Sequence, residues 1–120
     1  MTAARNSTLG RYGEDVAARQ LTALGMTVID RNWRGPSGEI DLVLRDGDTL
    51  VICEVKTRTT PDHGHPLEAV DSKKAGRLRR LAAEWIEARN VRPADVRIDV
   101  VGVLQSGRGA AQLEHLKGVG

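Results

Sequence analysis

The chain has 120 residues, 40% of them hydrophobic and 28% charged, with a formal net charge of +2. That is enough for one domain with its own core. No early apolar run reads as a signal peptide, and no segment approaches the ~20 apolar residues of a membrane span. The single cysteine, Cys53, excludes an internal disulfide and makes a reducing cytoplasm the expected location. The few aromatics (Tyr12, Trp33, Trp85) argue against recognition by rows of base-stacking rings.

Residues 1–8 are polar and read as a flexible N-terminus, 9–117 as one domain and 118–120 as a tail. Leu9, Tyr12, Val16, Ala17, Leu21 and Leu24 recur with a 3.6-residue period, which predicts an amphipathic helix ended by Gly25. Met26 to Trp33 predicts a strand, and Gly35-Pro36-Ser37-Gly38 a turn. Two further strands follow around an Asp-Gly-Asp turn, Gly38–Val43 and Leu50–Lys56. Thr57 to Leu67, with Pro61, Gly64 and Pro66, reads as a loop. A second helix is expected from Asp71 or Ser72, on the spacing of Leu78, Leu81, Ala82, Trp85 and Ile86, and it ends at Asn90 and Pro93. Val96 to Leu104 predicts a buried strand and Gln112 to Lys117 a short last one. The order α-β-β-β-α-β-(β) makes this an α/β protein with a mixed sheet flanked by helices.

The two central strands carry the chemistry. Asp41, Glu54 and Lys56 stand among Ile, Leu and Val, where an uncompensated buried carboxylate costs several kcal/mol. If Arg45 pairs with Leu50, then Val43 opposes Ile52, Asp41 opposes Glu54 and Glu39 opposes Lys56. One face then holds Ile40, Leu42, Leu44, Val51, Cys53 and Val55, and every acid falls on the other. Two facing carboxylates repel, and a divalent cation with hard oxygen ligands removes the conflict. A surface ladder of ion pairs is the plainer account of a lone Glu-x-Lys. The Gly-Glu-Ile-Asp strand at hairpin distance favours the cation site.

Charge is also unevenly spread. Lys73 to Arg92 holds seven basic residues against two acids, while Glu39 to Glu54 holds five acids against one arginine. Such a pairing suits a cation and an anionic polymer held together, although two unrelated solvated surfaces give the same counts. Lys73, Arg77 and Arg80 share one face of the second helix and are candidate phosphate contacts, or simply a solvated face. Arg31, Arg34 and Arg58 flank the acidic cluster and are stronger candidates. His63 and His65 form a weak metal signal in a Gly/Pro loop. Cys53 reads as a buried core thiol, and Arg97 with Asp99 as a structural ion pair.

Together these residues resemble a known family. Gly13-Glu14-x-x-Ala17, Arg31-Asn32-Trp33-Arg34, Gly38-Glu39-Ile40-Asp41-Leu42-Val43, Glu54-Val55-Lys56-Thr57-Arg58, Lys73-Lys74 and Arg97-Ile98-Asp99-Val100-Val101 are similar to the YraN-like bacterial proteins. Those resemble the archaeal Holliday-junction resolvases and the wider PD-(D/E)xK nucleases. The resemblance implies a restriction-endonuclease-like fold and a Mg²⁺- or Mn²⁺-dependent endonuclease acting on DNA, with branched or structured DNA as a candidate substrate. The alternative is a non-catalytic nucleic-acid-binding protein that keeps the nuclease fold. Asp41, Glu54 and the backbone carbonyl of Val55 would be metal ligands, and Lys56 the catalytic lysine. Glu14 matches a helix-borne active-site glutamate, or is an exposed acid near a helix N-terminus. Glu39 is a candidate accessory ligand or the partner of Lys56. Cleaving a junction takes two active sites and therefore a homodimer. His63-Gly64-His65 and the ending Lys117–Gly120 depart from the family's usual pattern, away from the proposed metal site.

Overall fold

The computed structural model describes residues 8–60 and 70–119. Helix α1 spans Thr8–Ala23, followed by strands β1 (Thr27–Gly35), β2 (Gly38–Asp46) and β3 (Thr49–Arg58). Helix α2 (Ser72–Arg89) leads to β4 (Asp95–Leu104) and β5 (Gln112–Leu116). The expected element order and mixed α/β fold are both present. Pro61, His63, Gly64, His65 and Pro66 lie outside the described residues, as does the expected flexible N-terminus up to residue 7.

The five strands lie in chain order in one sheet. Only β3 and β4 run parallel; the other neighbours are antiparallel. A parallel pair needs a crossover, and α2 supplies it. Asp71 caps α2 by accepting the Lys74 backbone N–H at 2.8 Å. At the other end Asn90 adopts a left-handed conformation (φ 55°), so the polar residue that was expected to end the helix does so through its backbone.

Among the described residues, each face of the sheet carries one helix. Ala17 and Leu21 of α1 pack on Leu42, Leu44, Val51, Cys53, Val101 and Val103. Leu78, Leu81 and Trp85 of α2 pack on Ile40, Val43, Leu50, Ile52 and Ile98. The β2–β3 register is the expected one, with Arg45 opposite Leu50 and Val43 opposite Ile52. Two expectations built on it need correction. Ile40 sits on the α2 face with Val43, not with Leu42 and Leu44. The ladder also stops at Leu42↔Cys53, one pair short of Asp41 and Glu54. Strict alternation therefore breaks at Asp41, and the cause is the side chain itself: its Oδ2 accepts the Val55 N–H at 2.8 Å. The carboxylate replaces a backbone acceptor, and β2 leaves β3 at that point.

On β4, between β3 and the edge strand β5, Asp99 is fully buried. Arg97 donates to both its oxygens, at 2.8 and 3.0 Å, and His115 Nε2 lies 2.8 Å from Oδ2. The Gly118 N–H donates to Oδ1, and the Val119 N–H to the Ile98 carbonyl. Arg97 also donates to Asp46 at the β2–β3 turn. The structural ion pair expected of Arg97 and Asp99 is thus the centre of a larger network that fastens β5 and the chain end to β4.

Burial alone would raise the Asp99 carboxyl, but hydrogen bonds from Arg97, His115 and Gly118 hold it below the ordinary carboxylate value. A carboxyl depressed on folding stabilises the native state above its unfolded pKa, and that contribution disappears as pH falls through the folded value. Denaturant titrations should therefore give a stability that drops below about pH 4. The Asp99→Asn variant should be less stable by about 3 kcal/mol at pH 7 and should lose part of that acid dependence.

Candidate metal and phosphate site

The break at Asp41 opens one end of the sheet, and the candidate residues gather there. On the neighbouring strand, Asn32 takes a left-handed backbone conformation (φ 50°) between the pairs Arg31↔Leu42 and Trp33↔Ile40. Asparagine tolerates that region better than most residues. Its side-chain amide donates to Glu14 Oε1 at 3.0 Å. Glu14 is buried at 5% exposure, so it is not the exposed helix acid that was one of its two readings.

Close contact between α1 and β3 places Glu14. A Cβ on Gly13 would come within 1.8 Å of Thr57 Oγ1 and 2.9 Å of its Cβ. Only glycine lets the helix approach the strand this closely. Thr57 follows Lys56 directly, so one contact ties the glutamate of α1 to the charged end of β3.

Asp41 and Glu54 are 3% and 9% exposed. Glu54 lies on the α2 side of the sheet, two residues on from Ile52, and its Oε2 faces two ammonium groups. Lys74 Nζ of α2 stands 2.7 Å away and Lys56 Nζ 3.9 Å away. Burial, and then the neighbouring Lys74 charge, hold the Lys56 ammonium below the ordinary lysine value, against the pull of Glu54 and Asp41. Cys53 is wholly buried on the α1 face of the sheet; burial pushes its thiol well up, so it is the inert core residue expected.

Glu39 lies beyond the last β2–β3 pair. It pairs in register with Arg34 on β1 and forms an ion pair with that guanidinium at 2.9 Å. Arg31 is bound to Asp15 of α1 at 2.6 Å. The Arg31–Asp15 pair is exposed, of a kind worth about 0–1 kcal/mol, so a phosphate can displace that acid at little cost, whereas in the Arg34–Glu39 pair the arginine is exposed and the glutamate is buried. Arg58 ends β3, where its carbonyl accepts the Gln105 N–H. Lys73, Arg77 and Arg80 are exposed on α2 and, with Asp71 and Lys74, line one open cleft.

Two members of the cluster escape sequence reasoning. Asn32 has a signal in hindsight, since an asparagine between arginines in a strand marks a place where positive φ is tolerated. Lys74 also has one: it is a lysine in a helical first turn that contains no acid, where the macrodipole disfavours it.

Among the described residues, no three of His, Cys, Asp and Glu come together as a metal cage. The donor set still fits a hard divalent ion, because Mg²⁺ typically takes one or two carboxylates and keeps several waters. Asp41, Glu54 and the Val55 carbonyl would be such a set, and Glu54 already attracts two cations.

The fold and this end of the sheet define a mixed α/β protein with buried acids beside a basic helix. The comparisons place it further. The chain belongs to the uncharacterised protein family UPF0102, whose family model matches residues 13–103. A UPF0102 protein of Streptomyces griseus is 59% identical, with 92% of this chain and 94% of that one aligned. Another from a Nocardioides species is 52% identical over 98% of this chain and 95% of its own length. One from Beutenbergia cavernae is 57% identical over 93% and 95%.

The Gly13 contact generates a direct check. Gly13→Ala should destabilise the fold by about 1–3 kcal/mol through overpacking against Thr57, measured by urea unfolding. A Thr57→Ser partner substitution, which removes a methyl but keeps Oγ1, should recover only part of the loss.

Proposed function

We propose that this chain is a Mg²⁺- or Mn²⁺-dependent nuclease that hydrolyses DNA phosphodiester bonds. The observation that carries this reading is the pair of buried carboxylates, Asp41 and Glu54, on either side of the point where β2 leaves β3, with Lys56 beside them. A soluble fold gains nothing from burying two acids there unless something cationic compensates them. The motif resemblance to PD-(D/E)xK nucleases supports the same assignment.

Asp41, Glu54 and the Val55 carbonyl would hold the ion, which when bound polarises a phosphoryl oxygen and activates water. Asp41 is fixed for this by the Val55 N–H. Lys56 stands close enough to Glu54 to reach a phosphate oxygen at the same place and neutralise charge that builds on it. Glu14, held by Asn32, supplies a further acid from α1. Arg31, Arg34, Arg58 and the Lys73–Arg77–Arg80 face would track the nucleic-acid backbone, each contact adding to the salt dependence of binding. A branched or structured substrate would require a homodimer to present two such sites.

A second reading, a nucleic-acid-binding protein without catalysis, draws on the 2.7 Å ion pair between Glu54 and Lys74, which neutralises one acid without metal. One experiment separates the two. Purified protein is incubated with single-stranded, duplex and four-way-junction DNA, with and without Mg²⁺ or Mn²⁺. The nuclease reading predicts metal-dependent cleavage reduced about 100-fold or more in Asp41→Asn and in Lys56→Met. Asparagine keeps an oxygen for the Val55 N–H, so that variant should remain folded. Cleavage that survives in both variants removes this site from the reaction. Binding without cleavage under either metal favours the second reading.

A further inference from the structure

We propose that Lys74 is a built-in counter-ion of the cation site, which holds Glu54 in the metal-free protein and is displaced when a divalent ion binds. This inference rests on the metal-site reading above.

Three observations support it. The Lys74 ammonium lies 2.7 Å from Glu54 Oε2, and the two side chains are only 17% and 12% exposed, so this is a charge-assisted contact largely shielded from water. It reaches Glu54 from the first turn of α2, a turn with no acidic residue, where the helix dipole opposes a positive charge. Glu54 therefore compensates a charge that its own helix does not. Finally, the same Oε2 has Lys56 within 3.9 Å, so two ammonium groups compete for one oxygen.

A divalent ion relieves that crowding. It gives Glu54 and Asp41 a single doubly charged partner and frees one ammonium, while Lys56 stays on β3 beside the site. Lys74 is the group able to leave. Its helix turn is anchored independently, by Asp71 accepting the Lys74 backbone N–H, so the side chain can swing without unwinding the helix. The freed ammonium joins Lys73, Arg77 and Arg80 around the cleft they already share. Metal binding would thus add one positive charge to the phosphate-facing side of α2. Lys74 is a positioning residue on this account, coupling ion binding to the charge presented to the substrate.

The test is calorimetric titration of Mn²⁺ into the full-length protein without DNA, comparing wild type with Lys74→Met, Lys74→Arg and Asp41→Asn. Met keeps the length of the stem and removes the charge. The expected result is that Lys74→Met binds Mn²⁺ on the order of 10-fold more tightly, because the ion no longer displaces a charge-assisted partner. Lys74→Arg should stay within a few-fold of wild type, and Asp41→Asn should lose the binding. If Lys74→Met does not fold, Lys74→Gln is the second neutral replacement, with the same expectation. Equal or weaker Mn²⁺ binding in the neutral variant overturns the counter-ion role and leaves the metal site standing. Absence of Mn²⁺ binding in wild type and neutral variant alike overturns the metal-site reading and this inference with it. Weaker DNA binding in EDTA with unchanged Mn²⁺ affinity would make Lys74 a plain phosphate contact and also overturns it.

Discussion

One hydrogen bond organises the charged end of this molecule. Asp41 Oδ2 accepts the Val55 N–H in place of a carbonyl from β2. A backbone donor at a sheet interior must be paired, and here a side chain pairs it. Because the carboxylate takes that role, the β2–β3 ladder ends at Leu42↔Cys53 and the two strands part. The parting buries a carboxylate at the sheet's end and turns Ile40 to the α2 face. Glu39, beyond the last β2–β3 pair, forms an ion pair with Arg34 on β1. The proposed metal site thus draws on an acid whose position is already fixed by the fold.

Two helices, each on its own face, bring the remaining charges to this opening. From one side α1 contributes Glu14, set by the glycine contact with Thr57 and held by the amide of Asn32. From the other, α2 contributes Lys74 to Glu54. The buried acid on the neighbouring strand β4 is handled differently. There the Arg97–Asp99–His115 network satisfies a fully buried acid entirely from within the chain, leaving no need for an outside cation. Asp99 and Glu54 are thus both buried acids on neighbouring strands, one paired by a rigid two-pronged guanidinium and the other by mobile lysine stems. The contrast explains why one is read as structural and the other as functional.

Much of this was legible in the sequence. The 3.6-residue spacing around Leu78, Leu81 and Trp85 and the cap at Asp71 located α2, and the pairing of Arg45 with Leu50 followed from keeping the acids together. The face of Ile40 was not legible, because a period-two reading assumes unbroken alternation and the break comes from a side chain replacing a backbone acceptor. Glu14 lay off the apolar stripe of α1, and only the left-handed turn of the chain at Asn32 reveals what buries it. Lys74 was hidden in the basic stripe beside it; burial separates it from Lys73, which sequence spacing cannot report. The roles of Arg31 and Arg34 as phosphate contacts rest on exchange of their present acidic partners.

The most direct test of the central claim is a crystal of the protein soaked in Mn²⁺, with an anomalous difference map collected at the manganese edge. The account predicts one peak per chain about 2.1 Å from carboxylate oxygens of Asp41 and Glu54, with the Lys74 ammonium withdrawn from Glu54. A map without a peak there, and with Lys74 still on Glu54, would contradict it.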